Sequence, residues 1–301
     1  MNQKSHKQDM NIMKLMENYH SEDSCRQVLS ELRWPDGVTC PHCESKDIRN
    51  SYTRDQYDCG SCGYQFSVTT GTIFKDTHLA LQKWFVAIYL MIESKKGISA
   101  NQMKRTLNVS YKTAWYLCHR IRAAMTDGTP NLLKGIVEVD ETWIGGKRKH
   151  VGHGFTGNKV IVAGATQRGG SARLQVIDGA DRKTLHQFIH ENTAPDTQAI
   201  YTDEWPAYKG IADENTRHET VNHSAEEWVR GDVHTNSVEG IWSLLKRSIV
   251  GSYHQVSVKH LDAYLDELEW RFNNRENPYL FRDTLLKLIN SGNLQYKVLV
   301  S

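Results

Sequence analysis

Three acidic residues stand in sequence contexts that suit the binding of catalytic metal ions. Asp140 and Asp203 each end a short apolar run that predicts a buried strand, and Glu239 opens an amphipathic helix. Lys246 follows Glu239 by seven positions and so returns to the same helical face. Carboxylates that converge on divalent ions activate an attacking oxygen and stabilise a leaving one at phosphorus. The pattern therefore predicts phosphoryl transfer with Mg²⁺ or Mn²⁺ and a nearby lysine.

The alternation of side chains along a strand limits which carboxylates can share this site. Adjacent strand residues point to opposite faces, so Glu141 cannot face the site together with Asp140. The same holds for Glu204 and Asp203 if their strand continues through both residues. Glu138 shares the face of Asp140, which makes it a weaker supporting candidate.

Glu239 also has a purely structural interpretation. With Asn236 as the N-cap residue, Glu239 would occupy the third helical position and complete a pair that resembles a capping box. The two roles are compatible with each other. His234, just before this helix, could meet a phosphate or a metal ion, or serve as a surface or capping residue. The sequence holds 35 acidic residues, so a chance triplet is the alternative for the whole set.

Four of the six cysteines form two CxxC pairs with fifteen residues between them. The pairs are Cys40 with Cys43 and Cys59 with Cys62, which is the spacing of a tetrahedral zinc ribbon with four thiolates. The ion would be structural Zn²⁺, because it replaces a core that so small a segment cannot build. A redox dithiol or a chance pairing is the alternative.

The other residues near the knuckles receive structural interpretations. Short strands over 52–57 and 64–68 would hold the two knuckles together. His42 is a bystander within the first knuckle, and Cys25 and Cys118 are predicted to be buried thiols.

A basic helical segment follows the cysteines. Apolar spacing predicts helices over 81–92, 99–107 and 111–125, with a tight turn between the last two. Residues 94–126 include seven Lys or Arg and no Asp or Glu. Two short helices joined by a tight turn, the second basic and aromatic, resemble a helix-turn-helix that binds double-stranded DNA. The alternative is a helical linker with a solvated basic face.

The third of these helices supplies the DNA-binding candidates. Its apolar stripe is predicted to be buried, and the opposite face carries the basic residues assigned to DNA, namely Lys112, His119, Arg120 and Arg122. Trp115 and Tyr116 lie on the same face, but they could equally be core residues.

The remaining sequence predicts an α/β domain. Strands over 136–143, 159–166 and 173–177 precede a helix over 182–191 and a strand over 199–203. This order, followed by the helix of Glu239, is the plan of a ribonuclease H-like domain. The expected fold is therefore an α+β multidomain protein. Its predicted parts are an N-terminal helical segment at 1–35, a zinc ribbon at 36–70, a helix-turn-helix module at 78–127 and a catalytic domain at 132–290.

Length and composition fit this organisation. At 301 residues the chain exceeds the usual size of a single core. The net charge of +2 is unremarkable, so the basic block at 94–126 is a local feature. The N-terminus has no apolar signal core and no apolar run spans a membrane. We therefore expect a cytoplasmic, nucleoid-associated protein that does not use a membrane.

Several segments, taken in order, resemble the bacterial insertion-sequence transposases of the ISXO-like zinc-ribbon group. They span about 33–275 and comprise 33–37, 94–99, 112–115, 139–142, 203–205, 207–208, 234–240 and 243–247. The resemblance implies an acidic-triad (DDE) transposase with Asp140, Asp203 and Glu239 as metal ligands and Lys246 near the DNA ends. Because some members of the wider group use another third ligand, Asn236 competes with Glu239.

The resemblance also implies the partners. They are the terminal inverted repeats, which are cut and joined to target DNA, and a second copy of the chain that pairs the two ends. The basic residues over 147–150 could contact phosphates or form a solvated loop, and this loop is short for the family. Two other functions remain open: a DNA-binding regulator or domesticated protein without transposition, and a metal-dependent nuclease that only hydrolyses.

Overall fold

The computed structural model describes residues 10–51, 55–126, 131–145 and 159–301. The chain divides into two compact units. Unit 1 is formed by Met1–Thr126 together with Asn274–Ser301, and unit 2 by Asp127–Asn273. The expected basic loop over 147–150 lies outside the described residues.

The described residues form groups of consecutive helices and groups of consecutive strands. The helices are α1 (Ile12–Asn18), α2 (Glu22–Arg33), α3 (Leu81–Glu93), α4 (Ala100–Leu107), α5 (Tyr111–Met125), α6 (Arg182–Asn192), α7 (Asn236–Ser248), α8 (Leu261–Asn273), α9 (Leu280–Ile289) and α10 (Tyr296–Val300). The strands are β1 (Ile48–Ser51), β2 (Gln56–Cys59), β3 (Gln65–Phe66), β4 (Ile136–Ile144), β5 (Val160–Gln167), β6 (Ala172–Ile177), β7 (Ala199–Thr202) and β8 (Arg217–Thr220).

The small sheet of unit 1 carries the cysteines. Its order is β1-β2-β3 and both pairings are antiparallel. Trp34, just after α2, packs edge-on against Tyr57 and Phe66, with ring centroids 5.6 Å and 5.9 Å away. The predicted strand over 52–57 overlaps β2 only at Gln56 and Tyr57, because pairing begins at Gln56. Residues 52–54 of the prediction lie outside the described residues. Strand β1 was not predicted.

Helices α2, α3, α5 and α9 pack together in unit 1. Capping explains two of the helix starts, since the Ser99 hydroxyl accepts from the Gln102 N–H and the Ser110 hydroxyl from the Thr113 N–H. Asn108 ends α4 in the left-handed conformation with φ of 50°, which permits the tight turn into α5. The predicted bounds of these helices agree with the structure.

The end of the chain differs from the predicted domain plan. The sequence predicts a catalytic domain that extends to residue 290, but α9 lies in unit 1. The physical reason is that Phe281, Leu285 and Leu288 are buried there, with the Phe281 ring 5.9 Å from the rings of both Tyr19 and Phe85. The sequence alone could not show which distant residues these apolar side chains pack against.

Unit 2 is built on a five-stranded sheet of order β6-β5-β4-β7-β8. Strand β4 is central, antiparallel to β5 and parallel to β7. Val137 and Val139 pack on the face covered by α6, whereas Val162 packs on the face covered by α7 and α8. Strand β8 was not predicted. No helix among the described residues has the length and apolar character needed to cross a membrane.

Candidate active site and metal centre

Asp140 and Asp203 lie level with each other on neighbouring parallel strands. The β4–β7 register pairs Ile136 with Ala199 and Glu138 with Tyr201. Extended by two residues beyond its last pair, this register places Asp203, directly after β7, level with Asp140, and the charge of Asp203 acts on Asp140. Neighbouring strands are about 4.8 Å apart and side chains at one level share a face, so the two carboxylates are adjacent.

Helix α7 packs over this carboxylate pair and is tied to it directly. The Trp242 indole donates from Nε1 to Oδ2 of Asp140 over 2.8 Å. The indole fits because residue 164 on β5 is glycine, since a Cβ there would collide with the Trp242 ring. Trp242 lies three positions after Glu239, so one turn of α7 connects Asp140 with the third acid.

The beginning of α7 differs from the expected capping scheme. Thr235 is the N-cap residue and Asn236 the first helical residue, so Glu239 stands fourth and not third. No side chain of the N-cap makes a capping bond. Instead, Glu138 on β4 accepts hydrogen bonds from the backbone N–H groups of Ser237 and Val238 over 2.7 Å and 3.3 Å. The structural interpretation of Glu239 as part of a capping box is therefore wrong.

Glu239 lies at the rim of the site. Its side chain is 45% exposed, and Oε1 accepts from the Thr235 hydroxyl over 2.9 Å. The His223 Nε2 atom lies 3.8 Å from the same oxygen. His223 also interacts electrostatically with Asp203, so this histidine stands between the second and third acids. His223 could not be predicted from the sequence, because the short turn that carries it has no strand or helix pattern.

The electrostatics of these two partly buried acids suit a divalent cation. Burial raises the pKa of Asp140 to about 7, and the negative charges of Glu141 and Asp203 act in the same direction. Burial likewise raises the pKa of Asp203, with the charge of Glu204 adding to it. Crowded carboxylates of this kind are relieved by a hard cation that prefers oxygen ligands, so the residues fit Mg²⁺ or Mn²⁺.

The three acids are not drawn together as tightly as the cysteines. Over the described ranges, the cysteine cluster is the one group whose candidate ligand atoms all lie within 4.8 Å of one another. Glu141 is separated from the triad as expected, since it turns to the α6 face and accepts from the Tyr208 hydroxyl. Lys246 is exposed near the end of α7, the same helix that carries Glu239 at its start.

The four knuckle cysteines converge as their spacing predicts. Sγ of Cys40 lies 3.8 Å from Sγ of Cys62, and Sγ of Cys43 lies 3.5 Å from Sγ of Cys59. Tetrahedral Zn²⁺ with bonds of about 2.3 Å requires sulfur atoms about 3.8 Å apart, so the cluster fits this ion. The predictions for two other cysteines are also confirmed, since Cys25 and Cys118 are buried thiols.

The same two segments, the cysteine ribbon and the α/β unit, match known families. Residues 20–65 match the transposase zinc-ribbon domain and residues 132–273 match the ISXO2-like transposase domain. An uncharacterized transposase-like protein of Haemophilus influenzae is 30% identical over 101 residues, which are 34% of this chain and 80% of that protein. The chain belongs to the ISXO2-like transposases.

Other similarities of this transposase extend over more of its length. An uncharacterized protein in the transposable element ISH50 of Halobacterium salinarum is 29% identical over 275 residues, 85% of this chain and 92% of that protein. A chain in the crystal structure of a pre-cleavage Mos1 transpososome is similar to 67% of this chain. The match covers 77% of the Mos1 chain, with 14% sequence identity and a TM-score of 0.26. A TM-score this low supports no structural argument.

The transposase differs from expectation in the basic face of α5. His119, Arg120 and Arg122 are all buried, so these three assignments to an exposed DNA-binding face are wrong. Arg120 donates to the carbonyl oxygens of Ile73 and Lys75 in the interior of unit 1.

The exposed basic residues of the helix pair α4–α5 lie on α4 and in the first turn of α5. Lys112 in the first turn of α5 is exposed, with Nζ 4.4 Å from the centroid of the Tyr296 ring. Lys104 and Arg105 on α4 are exposed as well. The exposed basic residues of these two helices therefore lie on α4 and at the beginning of α5.

Proposed function

We propose that this transposase uses an acidic triad, in which Asp140, Asp203 and Glu239 hold Mg²⁺ or Mn²⁺ within a ribonuclease H-like domain. The observation that carries the proposal is the electrostatic interaction between Asp140 on β4 and Asp203, which directly follows the neighbouring parallel strand β7. The sheet order, with α6 on one face and α7 on the other, supports the ribonuclease H-like assignment.

Each residue of the site has a distinct task in this proposal. Asp140 and Asp203 provide partly buried carboxylates, and Trp242 fixes the orientation of Asp140 through its indole N–H. Glu239 stands at the solvent rim, where DNA can enter, and Lys246 faces solvent further along α7 to meet a phosphate. When bound, the metal ions activate the attacking oxygen and stabilise the leaving one. Water is the nucleophile for cutting and a DNA 3′ hydroxyl for joining.

The partners follow from the same proposal. The zinc ribbon, with Zn²⁺ on its four thiolates, and the helix pair α4–α5 would bind the terminal inverted repeats as a helix-turn-helix module. The exposed Lys104, Arg105 and Lys112 support this role, because phosphate contacts dominate DNA affinity. A homodimer on the DNA ends would bring both ends to one target.

Amide substitutions of the three acids test the triad. We expect Asp140→Asn, Asp203→Asn and Glu239→Gln each to reduce cleavage of a terminal-repeat substrate by about a thousandfold, which is about 4 kcal/mol of transition-state stabilisation. Folding, seen by circular dichroism, and DNA affinity should be unchanged. Glu191→Gln, at an exposed acid on α6, is the matched control and should cleave normally.

Two outcomes would redirect the proposal. Near-normal cleavage by Glu239→Gln would remove Glu239 from the triad and make Asn236 the next residue to test. A pre-cut end with a free 3′ hydroxyl separates transposition from simple hydrolysis, since a nuclease would cut but never join this end to target DNA.

A further inference from the structure

We propose that Glu138 is a positioning residue, which holds the helix of Glu239 in place over the strand of Asp140. The proposal rests on the proposed role of Glu239 as a metal ligand. Glu138 is fully buried on the α7 face of β4, two residues before Asp140. A buried carboxylate is costly unless its oxygens are fully hydrogen-bonded, so its partners reveal its task.

The partners of Glu138 are concentrated at the first turn of α7. Oε2 accepts from the backbone N–H groups of Ser237 and Val238, and Oε1 accepts from the Ser237 hydroxyl over 3.0 Å. The charge is balanced by Arg168, whose Nε donates to Oε1 over 2.8 Å. The carboxylate thus replaces the missing side-chain cap of a helix that begins without one.

Arg168 extends the same clamp to the residues before the helix. Its Nη2 donates to the carbonyl oxygen of His234 over 3.2 Å, and its guanidinium lies 4.9 Å from the centroid of the Tyr201 ring. The His234 Nδ1 atom lies 3.2 Å from Oε1 of Glu138, although its orientation forms no hydrogen bond. The loop and the first turn are therefore both fixed to the sheet.

The location of the clamp connects it with the third acid. Glu239 directly follows Val238, so it belongs to the turn that frays first when a helix end loses its cap. Further along, Trp242 holds α7 to Asp140. Glu138 and Trp242 hence anchor α7 before and after Glu239, and they do so on one strand, since Glu138 and Asp140 are both on β4. The clamp sets where the Glu239 carboxylate stands relative to Asp140.

The Glu138→Gln variant tests this role in the full-length protein. Glutamine keeps the shape, but its amide NH₂ replaces one acceptor and opposes either the helix N–H groups or the Arg168 guanidinium. In metal-free protein, we expect hydrogen-exchange protection of the peptide covering 235–239 to fall by about tenfold. Affinity for Mn²⁺ and kcat for cleavage should fall by about 10-fold to 100-fold, with KM for DNA unchanged. High Mn²⁺ should partly restore kcat.

Glu267→Gln is the matched control. Glu267 is equally buried in unit 2, and it accepts from Arg271 and Tyr253, away from the start of α7. A merely structural role predicts that both variants lose stability alike and that neither changes protection at 235–239 or Mn²⁺ affinity. This result, or unchanged protection and affinity in Glu138→Gln, would overturn the proposal.

Two further variants keep the outcomes distinct. If Glu138→Gln fails to fold, Arg168→Lys retains the charge but loses the Nε donor to Glu138, and we expect smaller losses of the same protection and Mn²⁺ affinity. Glu239→Gln should lose Mn²⁺ affinity while its protection at 235–239 stays normal. If Glu239→Gln instead binds Mn²⁺ and cleaves normally, the triad is wrong, whereas normal protection in Glu138→Gln rejects the clamp alone.

Discussion

At the residue scale, the environment of Asp140 lowers the stability of the folded domain when its carboxylate is charged. The carboxylate is partly buried, and burial together with the negative charges of Glu141 and Asp203 raises its pKa to about 7. Its charged form is thus disfavoured in the folded protein without metal. In the proposed function a bound cation would remove this penalty, so the site would give up stability in the metal-free state to gain affinity for the ion.

A neutral substitution should therefore stabilise the metal-free protein. Because the folded-state pKa of Asp140 lies above its ordinary 3.8, the folded state retains the proton, and the free energy of unfolding falls as pH rises toward about 7. Asparagine keeps an acceptor for Trp242 but carries no charge. We expect Asp140→Asn to raise Tm in EDTA at pH 8 by a few degrees, with no gain at pH 4.

The opposite sign is expected at Asp181, which caps α6. Hydrogen bonds from Thr184 and other groups lower the pKa of Asp181, so its charged form stabilises the fold. Asp181→Ala should lower Tm at pH 8, and this loss should shrink as pH falls below 4. A Tm for Asp140→Asn equal to or below that of the wild type at pH 8 would contradict the account of Asp140.

The acidic residues proposed for the site could be selected from the sequence, whereas the contacts that hold them in place could not. Strand alternation correctly placed Glu138 with Asp140 and separated Glu141 from both, because it depends only on local geometry. That Glu138 caps α7 required knowing which helix covers β4, a contact about one hundred residues apart in sequence. For the same reason, the hydrogen bond from Trp242 to Asp140 could not be predicted, although helical spacing places Trp242 one turn after Glu239.

At the scale of elements, α5 shows why charge alone did not locate the DNA-binding surface. Its bounds were predicted correctly from the apolar spacing. The sequence could not show that α3 and α9 cover the side that carries its C-terminal basic residues. Arg120 consequently became an internal donor, bonded to Ile73, Lys75 and Asn293, while Lys112 remained exposed.

Exposed and buried basic residues should consequently behave differently on substitution. We expect Arg105→Ala with Lys112→Ala to weaken binding to terminal-repeat DNA and to reduce the slope of log affinity against log salt by about 1 per lost phosphate contact. Tm should change little. Arg120→Ala should instead lower the free energy of unfolding by about 1–3 kcal/mol, because buried acceptors lose their donor, with an unchanged salt slope. A salt slope that falls only in Arg120→Ala would return recognition to the C-terminal half of α5.

Strands were predicted where their apolar runs are continuous and missed where they are not. The cores of β4, β5 and β7 include the buried β-branched residues Val137, Val139, Val162 and Ile200, which favour strands. Strand β8 has the sequence Arg-His-Glu-Thr and contains no apolar residue. It pairs in parallel with β7 along its whole length, so its conformation follows from its neighbour and not from its own side chains.

At the scale of the whole molecule, the chain returns to its first unit after completing the second. Unit 2 ends at Asn273, which is also where the match to the transposase domain ends. The last residues add α9 to the core of unit 1 through Phe281, Leu285 and Leu288. Unit 1 is therefore assembled from both ends of the chain, whereas unit 2 is a single uninterrupted segment.

This connectivity predicts which fragments fold. A fragment of residues 127–273 contains every strand of the five-stranded sheet together with α6, α7 and α8, so we expect cooperative thermal unfolding by circular dichroism. Extension to 290, the boundary expected from sequence alone, adds α9 without the partners of its apolar face. That exposed face should cause self-association in sedimentation experiments and rapid proteolysis after 273. Greater stability of the 127–290 fragment than of the 127–273 fragment would show instead that α9 belongs with unit 2.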